Sequence, residues 1–546
     1  MKRINTGGLP FSELRENGDY YYVDKSLLIK DVLDYDDRGI YLFTRPRRFG
    51  KTTNLSMLDA FFNLKYKGNT WFDNLEISKY PEYDQYRNAF PVIHVDLRPA
   101  NMDSYKEFVD GIQTAMLKAF NEHDYLLDDD DPDDTIGYIY RSLKTWSVGA
   151  VPLMSSLALL SSALEKYHKK KVILLIDEYD CAVSDAFGTK EQRPMLKFLR
   201  QFLGQALKGN SSLQMAYVTG VMQIAKESIF SELNNIKVNN IFSIASDERF
   251  GFTENEVKDL LSYYGHPDKM DEVREWYDGY RFGNVDVYNP FSIMNYIQDG
   301  CDPQPYWVNS GGNWVVKELL QKIDDDNMNT IISLTTGQTA TVELDSSLAF
   351  GDVSPSDSTL FSLMAMSGYL NAVPVEDGDY DISIPNKEIM KMVDDLVNEL
   401  NPIATSDFVS FNQAVLDGDA DRMTAVLEKI LMDGSYMNLR ENAYEMIVMT
   451  ILHGLAKRYD VHTEYEAGYG RTDIILNPRN EGRSAMIMEL KVVEKKEDLD
   501  DGLKEAMDQI HDRKYYLGMS GKVVLVAMSF WNKVPKVRTD IISVRA

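Results

Sequence analysis

The stretch Ile40-Tyr41-Leu42-Phe43-Thr44-Arg45-Pro46-Arg47-Arg48-Phe49-Gly50-Lys51-Thr52-Thr53 leaves the rest of the chain few ways to fold around it. A short apolar run, 40–43, feeds a turn closed by Gly50-Lys51-Thr52 and opens at once into a helix-patterned segment over 55–62. Strand, turn and helix in that order gather backbone N–H groups and a helix N-terminus around one point. This suits phosphate, with a lysine reaching the outer oxygens and a hydroxyl holding magnesium. Lys51 and Thr52 fit those two roles. The pattern G-x-x-x-x-G-K-[ST] asks for glycine where this chain has Arg45, so the loop alone leaves open a basic strand-to-helix turn.

A second segment narrows the choice. Residues 171–180 read Lys-Val-Ile-Leu-Leu-Ile-Asp-Glu-Tyr-Asp, five apolar residues ending in carboxylates. Periodicity does not separate a buried strand from a buried helix, but length and β-branched content favour the strand. In a doubly wound sheet, ligands bind at the carboxyl ends of the strands, which sets Asp177 and Glu178 beside the loop. Asp177 then steadies magnesium, largely through its water shell, and Glu178 orients or deprotonates an attacking water. The competing account is an acidic turn after a buried strand.

At 546 residues the chain exceeds what one core organises, so two to four domains are expected. No apolar run approaches the roughly 20 residues that span a bilayer, and the N-terminus leads into no signal-type apolar core. A cytoplasmic chain with no membrane partner is the expectation. Cys181 and Cys301 make neither a disulfide framework nor a metal spacing. The formal net charge of −27 argues against indiscriminate adhesion to nucleic acid but leaves room for a local basic groove. The acidic run 128–134 reads as a solvated insertion.

Further along, strands are expected at 90–97, 213–218 and 240–245, with helices over 104–121, 153–167 and 191–208. Five strand candidates separated by helices imply a parallel sheet with helices on both faces. Thr219, at the tip of the strand after the acidic one, is a candidate sensor of the outer phosphate. Thr253 and Glu256 form a capping box for a helix whose apolar face is Val257, Leu260 and Leu261. The aromatic cluster 276–291 reads as packing at a domain junction or a partner surface. Short strands at 369–375 and 380–384 belong to a mainly helical, winged-helix-like module.

The C-terminal part reads as an αβ unit: helices at 407–432 and 441–459, strands at 461–466, 472–476, 484–491 and 522–527, and a helix over 499–517. Residues two apart in a strand share a face, so Glu489 and Lys491 point the same way, and pairing of the two strands adds Asp473. Two carboxylates and a lysine make a hard-oxygen cradle for magnesium with a cation beside it, suited to activating water against a phosphodiester. A salt-bridged sheet face is the alternative. Glu445 on the preceding helix and Gln509 on the following one extend the constellation.

At these residues the chain resembles a bacterial family that pairs an AAA-ATPase-like domain with a C-terminal PD-(D/E)XK nuclease-superfamily domain. The likeness is carried by Arg45-Pro-Arg-Arg-Phe-Gly-Lys-Thr, Ile176-Asp-Glu-Tyr-Asp, Thr219-Gly-Val, Phe250-Gly-Phe-Thr, Trp276-Tyr-Asp-Gly-Tyr-Arg-Phe-Gly and Tyr288-Asn-Pro-Phe-Ser. At the C-terminus it is carried by Gly470-Arg-Thr-Asp, Glu489-Leu-Lys and Gln509-Ile. Arg45 then belongs to the family's own loop variant. The resemblance implies an α/β P-loop domain over 1–248, a linking module over 249–400 and a restriction-endonuclease-like α/β domain over 401–546. It also implies ATP and Mg2+ as cofactors. Arg45, Arg48, Gly50, Lys51, Thr52, Thr53, Asp177 and Thr219 form the nucleotide set. Asp473, Glu489 and Lys491 form the nuclease core, with Glu445 and Gln509 in support. Thr52, Asp177, Asp473 and Glu489 are the metal ligands expected. The reading is an ATPase whose nucleotide state controls a nuclease acting on DNA, with a homo-oligomer or protein partner left open. Its rival is an ATP-dependent switch or scaffold whose inactive nuclease fold only binds nucleic acid or protein.

Overall fold

The computed structural model describes residues 1–36, 38–100, 104–127, 135–223, 236–307, 325–335, 337–346, 348, 357–375, 378–400, 405–433, 441–455, 458–479 and 483–544. The acidic run 128–134 lies outside the described residues. The chain divides into two compact units, 1–323 with 339–393, and 324–338 with 394–546.

Five strands open the first unit: β1 (Ile40–Thr44), β2 (Val92–Asp96), β3 (Val172–Asp177), β4 (Leu213–Gly220) and β5 (Ile236–Asn239). They form an all-parallel sheet in the order β2-β3-β4-β1-β5. Helices cover both faces, which is why β1 and β3 are buried at every residue instead of alternating. On one face Leu42, Val95, Leu174, Ile176 and Val218 pack with the helices Tyr105–Asn121, Ala150–His168 and Gln192–Leu207. On the other, Tyr217 stacks on Tyr41 and Phe43 at 5.2 and 5.5 Å. The order places β4 between the strand that feeds the loop and the strand that ends in carboxylates. The tip of β4 therefore stands between the two.

The fifth strand lies at Ile236–Asn239, ahead of the expected 240–245. Residues 240–243 close a turn instead. The Asn240 N–H donates to Ser243 Oγ at 3.0 Å, Asn240 Oδ1 accepts from the Phe242 N–H at 3.0 Å, and the Ser243 N–H donates to the Asn240 carbonyl at 3.1 Å. Asn and Ser side chains outcompete the ladder here, as their short polar groups do in turns.

Past Phe250, the helix Glu254–Tyr264 starts on the expected capping box of Thr253 and Glu256 and buries Val257, Leu260 and Leu261. The strands β6 (Phe252–Thr253), β7 (Tyr280–Phe282) and β8 (Val285–Tyr288) make one small antiparallel sheet. β9 (Ala340–Val342), β10 (Asn371–Pro374) and β11 (Tyr380–Ser383) make another. The aromatic cluster is largely internal, with Tyr277, Tyr280, Phe282 and Tyr288 all buried. Glu388, on the helix Lys387–Leu400, is buried among them and accepts from the Trp307 N–H at 2.5 Å and from Ser292 Oγ at 2.9 Å.

Burial pushes the Glu388 carboxyl up from 4.5 to about 7. The folded state thus favours the protonated form, so this contribution is complete below about pH 4.5 and is lost as pH rises through about 7. The difference corresponds to about 3 kcal/mol as an upper bound. Glu388→Gln is expected to flatten the fall in thermal stability between those pH values, and superimposable Tm–pH curves for variant and wild type would contradict this.

The second unit carries a five-stranded sheet of β12 (Tyr459–Ala467), β13 (Gly470–Pro478), β14 (Ala485–Val492), β15 (Gly521–Trp531) and β16 (Val534–Val544), in chain order. Only β14 and β15 are parallel, joined through the helix Leu499–Arg513. β16 has no counterpart in the expected strand list. The expected helix 441–459 spans Glu441–Leu452 and gives way to a short 3-10 turn before β12. The helix expected over 499–517 stops at Arg513, where Lys514 turns left-handed at φ 49° and its N–H caps Ile510 and His511. The two sheet faces differ. Ile474, Leu476, Met486, Met488 and Leu490 pack with the helix Glu441–Leu452, whereas Ile475, Ile487, Val523 and Leu525 pack with Leu499–Arg513. Alternation puts Asp473, Glu489 and Lys491 with the second set.

Candidate active sites

Gly50 is the N-cap of the helix Lys51–Phe62 at φ 82°, a left-handed conformation that glycine adopts without strain and that turns the chain sharply into the helix. Arg48 shares the left-handed region at φ 69°. Lys51 is buried and its Nζ donates to the carbonyls of Arg45 and Pro46, each at 3.0 Å, drawing the loop into a ring closed by its own lysine. Thr52 Oγ donates to Asp177 Oδ2 at 2.7 Å, and Thr219 Oγ donates to Asp177 Oδ1. Hydroxyl, carboxylate and hydroxyl from three separate segments thus meet at the carboxyl end of the sheet. Thr52, Asp177 and Thr219 offer the hard oxygens that suit Mg2+, and the Thr52–Asp177 pair fits the ion's usual holders. Glu178 stands next to them at φ 51°, its N–H held by Asp177 Oδ1 at 3.1 Å. A left-handed non-glycine residue is a strained conformation of a kind that concentrates at functional sites.

The arginines take other places. Arg45 is fully buried: its guanidinium donates to the carbonyls of Thr44 and Asn239 at 2.8 and 3.1 Å and to Asn239 Oδ1 at 2.6 Å. It lies 4.8 and 5.1 Å from the rings of Phe250 and Phe282, and burial lowers it to about 9. Its contribution to the loop is the carbonyl that receives Lys51. The guanidinium of the exposed Arg48 lies over the Phe291 ring at 4.7 Å, and Thr53 is half-buried in the first helical turn.

In the second unit the β13–β14 ladder runs to Ile474 opposite Met488, and beyond that point side chains replace it. Thr472 Oγ donates to the Met488 carbonyl at 3.1 Å, and Asp473 Oδ2 accepts from the Leu490 N–H at 2.7 Å. The carboxylate is thereby held between the two strands. Lys491 Nζ sits 3.3 Å from Glu489 Oε1, and Gln509 Nε2 donates to the same oxygen. Glu489 Oε2 is buried with no hydrogen-bond partner among the described residues. Burial, then Asp473, raise the Glu489 carboxyl to about 8, with Lys491 opposing. An orphaned buried oxygen whose charge is suppressed by desolvation and a neighbouring carboxylate is what a divalent cation would satisfy. Asp473 and Glu489 therefore fit as its holders. Glu445, half-buried, is on the helix that packs against the other sheet face. Among the described residues no three His, Cys, Asp or Glu side chains form a metal cluster, so the oxygens on each side amount to carboxylate pairs or carboxylate with hydroxyl.

A cleft of about 770 Å³ opens beside Gln509, lined by Arg471, Lys504 and Arg513 and by Asp501, Glu505, Asp508 and Asp512. Gln509, which bonds Glu489, is the member of the cluster on its wall, with three basic groups and four acidic ones around it.

Several contributors escaped the sequence reading. Tyr515 accepts from Gln509 Nε2 at 3.1 Å and donates to the Arg471 carbonyl at 2.7 Å, which orients Gln509 toward Glu489. Asp96, paired with Asp177 across β2 and β3, grips Arg98 through Nε and Nη2. Asp180 is buried, accepts from the N–H groups of Val221 and Met222 at 2.9 and 2.7 Å, and is pushed up to about 7 by burial and Glu178. A Cβ on Gly220 would lie 2.4 Å from Asp180 Oδ1, so glycine there is a requirement of close approach. Of these, Asp96 carries a readable signal, a carboxylate at a strand end, and Asp180 a weaker one, a carboxylate three residues past the end of β3. Tyr515 carries none.

Among the described residues no helix is long and apolar enough to cross a membrane. The family model described as Predicted AAA-ATPase matches residues 6–230, and that of the PD-(D/E)XK nuclease superfamily matches 439–534. An uncharacterized protein in the vnfD 5'region of Azotobacter chroococcum mcd 1 is 26% identical over 401 residues, covering 71% of this chain and 68% of that protein. A chain in a structure of Drosophila ORC bound to AT-rich DNA and Cdc6 aligns over 70% of this chain and 90% of its own length at 8% identity. Its TM-score of 0.15 is too low to carry an argument. The glycine-closed loop beside Asp177 and the Asp473–Glu489–Lys491 face agree with the two family matches: this chain joins an AAA-ATPase-like domain to a C-terminal domain of the PD-(D/E)XK nuclease superfamily.

Proposed function

We propose that the chain binds and hydrolyses ATP at the Lys51 loop and that nucleotide state controls a magnesium-dependent nuclease in the C-terminal domain acting on DNA. The observation that carries the nuclease reading is the convergence of Asp473, Glu489, Lys491 and Gln509 with Glu489 Oε2 buried and unpartnered. Leaving a buried carboxylate oxygen unsatisfied costs stability, so its retention favours use in chemistry over packing.

When bound at Asp473 and Glu489, Mg2+ supplies Lewis acidity and a water of lowered pKa. Asp473 is held at the strand junction by the Leu490 N–H, which fixes its carboxylate between the two strands without rearrangement. Gln509 fixes the Glu489 rotamer through Oε1. The Lys491 ammonium, beside that same oxygen, is placed to stabilise charge developing on a phosphodiester. At the loop, Lys51 and the helix N-terminus receive phosphate, and Glu178 takes the proton or orients the water.

A cleavage assay across single- and double-stranded DNA and RNA, with and without ATP and Mg2+, tests the whole. Cleavage of DNA that needs Mg2+ and changes with ATP is expected. No cleavage of any substrate by a folded, ATP-binding wild type would leave the binding-only switch. Control by nucleotide further demands reciprocity, since a ligand that biases one conformation must have its own affinity biased in return. ATP affinity measured with and without saturating DNA should therefore differ, and equal values would refute the coupling.

A further inference from the structure

The loop that carries Lys51 is gripped from behind by the aromatic module. Trp307 Nε1 donates to the Arg47 carbonyl at 3.0 Å, and the Gly251 N–H donates to the Phe49 carbonyl at 3.3 Å. The Phe49 ring packs against Tyr280 and Phe282, each at 5.0 Å. Trp307 is itself set in place: its ring meets Tyr369 edge-on at 5.2 Å, and its backbone N–H is received by the buried Glu388, whose other oxygen takes Ser292 Oγ.

Every peptide here is trans, and in a trans peptide the C=O and the following N–H point in opposite directions. Holding the Arg47 carbonyl against Trp307 therefore fixes the direction of the Arg48 N–H, and holding the Phe49 carbonyl fixes that of Gly50. The Arg47–Arg48 and Phe49–Gly50 peptides, with their carbonyls retained on the protein side, present their N–H groups to the other side, which is how backbone nests bind anions.

We propose that Trp307 and Glu388 are positioning residues of the nucleotide site: the Trp307 indole, seated by Glu388, pre-orients the Arg48 N–H for phosphate. This rests on the loop binding ATP as read above. It assigns part of the site to residues beyond 6–230, and it gives the loop's nonglycine residue at position 45 a partner logic, because the shell that encloses Arg45 also pins the loop.

The test compares Trp307→Phe, Glu388→Ala and Glu388→Gln in the full chain. Trp307→Phe keeps a ring against Tyr369 but removes the donor. It should weaken Mg-ATP binding and raise KM by about three- to tenfold, the worth of one hydrogen bond, while kcat at saturating ATP stays within about twofold. Amide exchange at residues 48–51 without nucleotide should quicken. Glu388→Ala should reproduce both effects, and Glu388→Gln, which still accepts from the Trp307 N–H, should restore both. A purely structural role would instead lower Tm with Kd and exchange unchanged. Wild-type Kd and exchange in Trp307→Phe, or in Glu388→Ala should Trp307→Phe not fold, overturns the proposal. If the wild type binds no ATP, it is the functional reading that fails, and the exchange comparison still decides whether Trp307 orders the loop.

Discussion

Asp473→Ala and Glu489→Ala are each expected to abolish phosphodiester cleavage while the protein stays folded. Asp473 spans the end of the β13–β14 ladder by accepting from the Leu490 N–H, and Glu489 places an unpartnered oxygen beside it. Removing either takes away half of a carboxylate pair that would hold Mg2+. The stability effect should be small for Glu489, because burial and Asp473 already disfavour its charge. Lys491→Ala separates the roles. The carboxylates remain, so Mg2+ binding should persist, whereas a cation beside the reacting phosphate is lost, at a cost of about 10²–10³-fold in rate. DNA binding should survive better than cleavage does, since one phosphate contact is a small part of electrostatic affinity. Calorimetric Mg2+ titration alongside single-turnover cleavage reads both quantities. Wild-type cleavage by Asp473→Ala would remove this site from the chemistry.

Glu178→Gln is expected to bind ATP normally and to lose hydrolysis by about 10²–10⁴-fold, the usual share of a positioned base. The substitution preserves shape at a residue held at φ 51° on the strand end, so a fall in kcat with unchanged Kd isolates the proton-handling role. Lys51→Ala should differ in kind. Its Nζ bridges the Arg45 and Pro46 carbonyls, so the change removes a phosphate contact and loosens the loop together. ATP affinity should fall more than tenfold. Hydrolysis at the wild-type rate in Glu178→Gln would reassign the base, with Asp180 and the Asp96–Arg98 pair the nearest alternatives by position.

Much of this architecture is legible in one dimension because it rests on local chemistry. The apolar runs of β1 and β3, the turn into Lys51–Phe62 and the capping box at Thr253 each follow from a few adjacent residues. Alternation alone sets Glu489 and Lys491 on one face of β14. Elements governed by competition were misplaced. β5 sits at Ile236–Asn239 because Asn240 and Ser243 close a turn; β16, absent from the expected strands, does carry a strand signal in Val537 among Lys536 and Arg538, and pairing with β15 extends it to eleven residues.

The sequence by itself determined which residues can carry the chemistry: a lysine and a threonine after a glycine, carboxylates at strand ends, and a lysine two residues from a glutamate. Tertiary structure alone decided what those residues meet. The strand order inserts β4 between β1 and β3, so that Thr52 and Thr219 share Asp177 across 125 and 42 residues of chain. It also turned Arg45 from a phosphate ligand into a buried prop between Phe250 and Phe282, and seated Trp307, 260 residues away, on the Arg47 carbonyl. Such contacts depend on distance in space and on burial, and neither leaves a period or a spacing in the chain to be read.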